Sequence, residues 1–319
     1  MRTLIIINPN AAGGRAAAAF KKVENRLVEV LGEFVVAVTK NPQEVTEHLD
    51  TVAAADISRL VAIGGDGTNH AVVNALAQRP DLDLTFGSLP VGTGRDWARS
   101  LGIPSDPVAA VEWLARGQAV PCDFGKVEYV DTRQGNKETI RTFLNIASAG
   151  VSGEVDARVN RSRRRTSLTF LGATIATLFQ YKPQRITVDC DGKTFYSGSS
   201  YLVAVANGRC FGRGMWIAPQ ALINDGKFDV VLVEGMPRLR ILAALRTVFS
   251  GKHLKRDDVH HLRASEVQVH SEEGPLSIDL DGEETQGQDL RFTIQSRAIK
   301  VLVDPTSDAV LSGESSVEE

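Results

Sequence analysis

An apolar run, Leu60–Ile63, empties into Gly64-Gly65-Asp66-Gly67-Thr68, and a helical pattern with Val72, Val73, Leu76 and Ala77 on one side follows at once. No other feature narrows the fold as much. A strand that ends in glycines and turns straight into a helix is the repeating element of a parallel, doubly wound sheet. Glycines let backbone N–H groups approach a polyanion closely, and the helix N-terminus adds positive potential there. A carboxylate among such groups makes sense beside phosphate when a divalent cation comes with it. The segment reads as a nucleotide-phosphate loop. The plainer alternative is a glycine-rich turn without a ligand.

The same logic repeats along residues 1–122. Strand patterns over Thr3–Ile7, Glu33–Val38, Arg59–Ile63 and Leu84–Ser88 alternate with helical patterns over Arg15–Leu31, from Pro42 to about Ala54, and after the third and fourth strands. Pro42 after Asn41 suits the first position of a helix. Glycine-containing turns after strands one, three and four would converge on the carboxyl edge of one sheet, where such folds bind ligands. From about Asp123 short alternating runs take over: Gly125–Val130, Arg141–Ile146, Arg185–Val188, Tyr201–Ala206, Phe228–Val233, Glu266–Val269, Leu276–Leu280 and Leu290–Ile294. Asp191-Gly192, Asp225-Gly226 and Asp281-Gly282 supply turn signals between them. The expectation is an N-terminal α/β domain (1–122) and an antiparallel β-rich domain (123–295) with helical insertions near 165–181 and 237–250. Residues 296–304 would return to the first sheet, and an acidic tail, 305–319, would be disordered.

Bulk properties exclude several classes. With 319 residues, 43% of them hydrophobic, the chain can fill two cores. MRTLIIINPN has too short an apolar run, and no small-residue cleavage site, for a signal peptide. The longest apolar candidate, Leu168–Phe179, is interrupted by Gly172, Thr174 and Thr177 and falls short of the roughly 20 residues a spanning helix needs. Three cysteines (Cys122, Cys190, Cys210) form no CxxC pair. A soluble, cytoplasmic chain is expected. Net charge is −3, but Asp308, Glu314, Glu318 and Glu319 lie in the tail, so the body is close to neutral and argues against nucleic acid as a partner. Arg158, Arg161, Arg163, Arg164 and Arg165 form one basic cluster, and Arg246, Lys252, Lys255, Arg256 and Arg263 a second. Such clusters are usually solvated; they also suit an anionic membrane surface, at about 1 kcal/mol per basic residue close to it.

Further constellations gain meaning beside the first. Gly92-Thr93-Gly94-Arg95-Asp96 repeats its logic one strand later, and Asn8-Pro9-Asn10-Ala11-Ala12-Gly13-Gly14-Arg15 ends the first strand. Each alone is an ordinary turn. Asp279, Asp281 and Glu283 share one strand face if extended through the turn. Phosphoryl transfer to an alcohol needs a carboxylate to take the hydroxyl proton, and Glu283 is the candidate. Asn224-Asp225-Gly226 could hold a hard cation or simply turn the chain. The histidines show no zinc-ligand spacing, and no Ser/His/Asp order stands out.

Taken in order, these residues resemble the diacylglycerol kinase catalytic-domain family, which includes bacterial soluble lipid kinases and sphingosine kinases. The resemblance runs through Leu4–Pro9, Gly64–Thr68, Leu89–Thr93, Asp123-Phe124-Gly125, Phe143-Leu144-Asn145, Asn224–Asp229 and Asp281-Gly282-Glu283, almost the whole chain. It implies two domains, ATP in the cleft and a lipid hydroxyl as acceptor. Carried over by position, Asn8, Pro9, Asn10, Ala11, Ala12, Gly13, Thr39, Gly65, Asp66, Gly67, Thr68, Asn69, His70, Ala71 and Thr93 would contact ATP. Asp66, Asp96 and Asp123 would lie near the nucleotide and its magnesium. Glu283 would be the proton acceptor, with Asp66 and Asp281 in catalytic roles. A further magnesium would be held by Asp225 and the carbonyls of Leu222 and Lys227. Two departures stand out: relatives usually carry a glutamate where this chain has Ala71, and Asn-Asp where it has Arg95-Asp96.

The favoured expectation is an ATP-dependent lipid kinase that makes phosphatidic acid from diacylglycerol. A sphingoid base, ceramide or another lipid stays open as acceptor. An NAD-type metabolite kinase and a non-catalytic nucleotide or lipid sensor are the alternatives. The implied cofactors are ATP (as substrate) and Mg2+. The implied partners are a lipid, an anionic membrane surface and, as an open option, a second copy of the chain.

Overall fold

A computed structural model describes residues 2–9, 11–52, 57–92, 94–161 and 167–310. The expected sites Asn10 and Thr93, the side chain of Ala12, the arginines at 163–165 and the tail beyond 310 lie outside the described residues. The chain divides into two compact units. One comprises Met1–Phe124, Leu222–Asp225 and Ser296–Glu319; the other comprises Gly125–Ala221 and Gly226–Gln295.

The first unit is α/β. Its strands and helices follow as β1 (Arg2–Ile7), α1 (Arg15–Leu31), β2 (Phe34–Val38), α2 (Pro42–Val52), β3 (Ile57–Gly64), α3 (Asp66–Ala77), β4 (Thr85–Pro90), α4 (Asp96–Leu101) and α5 (Pro107–Arg116). Strands β1, β3 and β4 are near-continuous apolar runs because both faces are covered, as parallel strands require. They pair in parallel in the order β2-β1-β3-β4, with Ile5 opposite Val36 on one side and Val61 on the other. Helix starts follow local chemistry. Asn41 accepts from Glu44 N–H at 3.0 Å while Glu44 accepts from Lys40 N–H at 2.7 Å, a reciprocal cap ahead of Pro42. Asp106 caps α5 through Val108 and Ala109 N–H at 3.0 Å. The chain leaves β1 toward β2 but leaves β3 toward β4. Right-handed crossovers therefore place α1 on one face and α3 on the other. The point between β1 and β3 is where such sheets open a crevice at their carboxyl ends.

The second unit is antiparallel. The long strand β5 (Gln118–Asp131) enters it and is followed by β6 (Lys137–Phe143), β7 (Ile146–Gly150), α6 (Val151–Asn160), α7 (Ser167–Gln180), β8 (Gln184–Cys190) and β9 (Lys193–Ala206). Then come β10 (Phe228–Glu234), α8 (Arg238–Val248), β11 (Val259–Ala264), β12 (Glu266–Ser271), β13 (Leu276–Leu280) and β14 (Glu283–Val303). The far end of β14 lies in the first unit, where Lys300 and Val301 pair in parallel with Thr85 and Phe86. Pairings run β9-β7-β13-β14-β12-β8 and back to β9, so the ring leaves no edge among these strands. Val188, Val205, Phe228, Ile278 and Phe292 fill the space inside. Helices α6, α7 and α8 cover a second cluster built on Ala204, Ala206 and Val231.

Two sequence expectations change here, and α6 is an element that the sequence reading does not name. Arg141–Ile146 is two strands, because a carboxylate captures the N–H groups between them (below). The strand expected at Tyr201–Ala206 begins at Lys193, because pairing with β8 extends it through Ser197–Ser200. Helix α6 shows no clear pattern because Gly153 sits in its first turn. That glycine has a packing reason: a Cβ there would lie 2.8 Å from Ile278 N and 2.9 Å from the Ser277 side chain.

Candidate functional site

In the first unit the loops after β1, β3 and β4 are tied edge to edge. Asn8 N–H donates to Ile63 O at 3.4 Å, Val91 N–H to Gly64 O at 2.7 Å, and Thr39 N–H to Ile7 O at 2.9 Å. After β1, Ala11–Gly13 forms one 3-10 turn, and Gly13 and Gly14, at φ 70° and 90°, swing the chain into α1. Gly64 has to be glycine, since a Cβ would meet Thr68 Oγ1 at 2.2 Å. Thr68 and Asn69 N–H both donate to Gly65 O, so α3 starts directly behind Gly65. Ahead of those two, the N–H groups at the very start of such a helix have no intrahelical acceptor and suit an anion. Thr68, Asn69, His70 and Ala71 are buried, and Asn69 Oδ1 accepts from the Ser88 hydroxyl at 3.0 Å. Those four therefore brace the loop from behind, while Gly65, Asp66 and Gly67 are its more open part.

The aspartates serve the backbone. Both Asp66 oxygens accept N–H groups of the α4 start, from Asp96 and Trp97 at 3.2 Å each. Gly94 makes room for this: a Cβ there would lie 2.6 Å from Asp66 Oδ2. Asp66 thus fastens the start of α4 to the loop after β3. Asp96 is buried and pairs with Arg99 at 2.5 Å. Asp123 is fully buried and accepts from Arg297 N–H at 2.6 Å, fixing the left-handed turn at that residue (φ 54°).

In the second unit the candidate base sits on a tight hairpin. Leu280 pairs with Glu283, and the two residues between, Asp281 (φ 55°) and Gly282 (φ 92°), have the left-handed backbone of a type I′ turn. Asp281 accepts three N–H groups, from Leu144 at 2.7 Å and from Asn145 and Ile146 at 3.0 Å. This is what splits β6 from β7. Asn145 in turn donates to Cys210 O, and Asn207 to Leu144 O, both at 2.7 Å. Asp279 is buried and accepts from Gly282 N–H at 2.7 Å. Glu284 pairs with Arg133 at 2.7 Å, whereas Glu283 is exposed and, among the described residues, its carboxylate makes no hydrogen bond or ion pair. One participant escaped the sequence reading. Asp156 on α6 hydrogen-bonds Asp279, and burial, with Glu284 and Glu283 nearby, pushes its carboxyl up to about 6. No spacing in the sequence joins residues so far apart.

Among the described residues no three His, Cys, Asp or Glu side chains gather as a metal cluster. A magnesium ion at the expected place would therefore depend on backbone oxygens. The donor set suits it: the Asp225 carboxylate and the Leu222 and Lys227 carbonyls are hard oxygen ligands within one short stretch that turns at Gly226 (φ 70°). The Lys227 ammonium is directed elsewhere, to Asp191 at 3.4 Å.

A phosphate-loop α/β unit followed by an antiparallel β unit defines the class, a kinase-type phosphotransferase. Residues 2–127 match the diacylglycerol kinase catalytic domain, and residues 145–303 match the YegS C-terminal NAD kinase beta sandwich-like domain. The diacylglycerol kinase of Bacillus subtilis (strain 168) is 30% identical over 293 residues, 88% of this chain and 89% of that one. A Pseudomonas aeruginosa protein named "Probable lipid kinase YegS-like" is 28% identical over 312 residues, 94% of this chain and 93% of its own. The crystal structure of a diacylglycerol kinase from Bacillus anthracis str. Sterne shares the fold, with TM-score 0.70, 19% identity and coverage of 96% of this chain and 98% of that one. The chain belongs to the diacylglycerol kinase catalytic-domain family: it is an ATP-dependent lipid kinase.

Proposed function

We propose that this kinase phosphorylates diacylglycerol, giving phosphatidic acid, with Glu283 as the proton acceptor. The observation behind this reading is the exposed, unengaged Glu283 carboxylate on a turn whose own aspartates are spent on backbone anchoring. In the reaction the lipid O–H bond breaks, its proton goes to Glu283, and the oxygen bonds the γ-phosphorus as the bridge to the β-phosphate breaks and ADP leaves. The open loop of Gly65–Gly67 and the turn at Gly13 offer backbone N–H groups to phosphate oxygens, while Asn8 N–H ties the turn to β3. Thr39, Thr68, Asn69, His70 and Ala71 keep those groups in register. Asp66 and Asp96 hold the second loop beside them, and Asp123 and Asp281 act as backbone anchors. Magnesium offsets charge on the phosphates when bound, and Asp225 with the Leu222 and Lys227 carbonyls would hold a further ion.

The acceptor resides in a bilayer, and one surface of the second unit suits contact with it. Leu171, Ile175 and Phe179 recur every fourth residue on α7 and are exposed, Phe179 by 42%. Leu239 on α8 is 79% exposed, and Arg238 reaches from α8 to Phe179 O at 2.8 Å. Arg158, Arg161 and Arg240 stand among the same helices. Apolar residues beside basic ones form an interfacial surface for anionic lipid. No helix among the described residues is long and apolar enough to cross a membrane.

The test supplies purified protein with labelled ATP, Mg2+ and micelles of diacylglycerol, ceramide or sphingosine, with NAD as soluble acceptor. Labelled phosphatidic acid is expected. Label in another lipid reassigns the acceptor, and label in NAD alone overturns the lipid reading.

A further inference from the structure

The second unit contains a carboxyl–carboxyl pair, Asp279 buried and Asp156 half-buried, that the reaction as written does not use. Helix α6 lies against β13 closely enough that Gly153 admits no side chain. Two matched contacts join them: Ser277 Oγ donates to Glu154 Oε1 at 2.8 Å, and two residues further along each element Asp156 meets Asp279. On its other side Asp279 accepts the N–H of Gly282, the residue before Glu283. The path from helix to base is thus Asp156, Asp279, Gly282, Glu283.

We propose that Asp156 is a positioning residue for Glu283, which it orients by hydrogen-bonding Asp279 and so fixing the Gly282 peptide. This deepens the reading of Glu283 as base and depends on it. Two carboxylates cannot make that bond; one must keep a proton. Burial raises Asp279 well above the ordinary carboxyl range, with the charges of Asp156 and Asp281 adding to the effect. Burial raises the Asp156 carboxyl too, to about 6. The pair therefore keeps one shared proton, and one Asp279 oxygen accepts from Gly282. The groups facing the pair are Asp281 at the turn, Glu283 and Glu284 on β14, and Arg213 from the loop after β9. Because the folded value of Asp279 is raised, the stability it lends is complete in acid and is lost as pH rises through that value. The bond fails as pH rises, once the last proton leaves.

Asp279→Asn is the discriminating variant. Its amide donates to Asp156 and accepts from Gly282 at every pH, so it imitates protonated Asp279. We expect Asp156→Ala to lower kcat 10- to 100-fold with KM for ATP changed less than twofold. Asp279→Asn should stay within threefold of wild-type kcat and move the alkaline limb of the kcat–pH profile upward. Infrared spectra of the intact wild-type protein across a pH series should show a carboxylic-acid C=O band that persists above the ordinary carboxyl range and that Asp279→Asn lacks. Wild-type kcat in a folded Asp156→Ala, an Asp279→Asn as impaired as Asp156→Ala, or no acid band in the wild type overturns the proposal. If Asp156→Ala does not fold, the other two measurements decide. A wild type without lipid kinase activity would defeat the function reading instead, and the infrared result still tests the pair.

Discussion

Two hairpins of the second unit carry the same local pattern, Asp189-Cys190-Asp191-Gly192-Lys193 and Asp279-Leu280-Asp281-Gly282-Glu283, yet they present different chemistry. Both are two-residue turns with left-handed backbone, φ 47° and 76° in the first, 55° and 92° in the second. In both, the turn aspartate accepts backbone N–H groups from another segment: Ser265 and Glu266 for Asp191, three consecutive residues for Asp281. The difference lies two residues upstream. Asp189 is half-exposed and accepts the Thr194 hydroxyl at 2.7 Å, whereas Asp279 is buried under α6 against a second carboxyl. The following residue then differs in kind, a lysine against an exposed glutamate. Local sequence dictates the turn, but what packs behind it decides whether the turn can present a base.

The largest effect should separate the two residues that follow the turns. Glu283→Gln removes the proton acceptor at nearly constant shape and should lower lipid phosphorylation by about 10²–10⁴-fold, the usual contribution of a positioned base. Lys193→Gln, the matching change in the other hairpin, should leave the rate within about twofold, since it touches no reacting group. Phosphatidic acid formation from labelled ATP measures both. A Glu283→Gln enzyme as active as wild type would make the two hairpins equivalent and remove the base.

The turn aspartates should differ next, and in stability. Asp281→Ala strands three N–H groups at the Leu144–Ile146 connection and should cost about 2–3 kcal/mol in urea unfolding. Asp191→Ala strands two more exposed donors and should cost about 1 kcal/mol. The Asp191 penalty should also depend on pH. Burial pulls its carboxyl up, but the N–H groups of Glu266 and Ser265 together with Lys227 outweigh it and hold the group below its ordinary value. A depressed carboxyl stabilises above its unfolded value and loses that contribution as pH falls. The Asp191→Ala penalty should thus shrink below about pH 4. Equal costs for both alanine variants would mean that the extra anchor at Asp281 is ornamental.

The sequence made the turns legible and left their surroundings dark. Asp-Gly between alternating runs announces a type I′ hairpin because both residues tolerate positive φ, and Asp191-Gly192 and Asp281-Gly282 both obey. The GGDGT loop was equally readable, since its glycines answer to atoms within a few residues, as Gly64 does to Thr68. Strand β1 and helix α1 followed from periodicity alone. Long-range contacts were not readable. The break between β6 and β7 is imposed by Asp281, more than a hundred residues downstream, and Asp156 joins the site only because α6 folds back onto β13. Asp66 shows the same limit. Its place in the loop was evident, but its two bonds to the α4 start depend on where the next strand delivers the chain.

The smallest expected effect is the one on which the comparison rests. Gly192 and Gly282 each have positive φ, and a Cβ at either would meet nothing within 4 Å. Alanine there pays only the backbone strain of the left-handed region, about 1–2 kcal/mol, and no steric clash. The two substitutions should therefore destabilise the protein to the same extent, within about 0.5 kcal/mol in urea midpoints at constant slope. Their effects on rate should part company. Strain at 192 stays in a hairpin that carries no candidate base, whereas strain at 282 acts on the peptide whose N–H holds Asp279 and whose next residue is Glu283. Gly282→Ala should lower kcat several-fold while Gly192→Ala does not. Matched stability with unmatched kcat would show that the backbone of the second turn is held to a tolerance that folding alone does not demand.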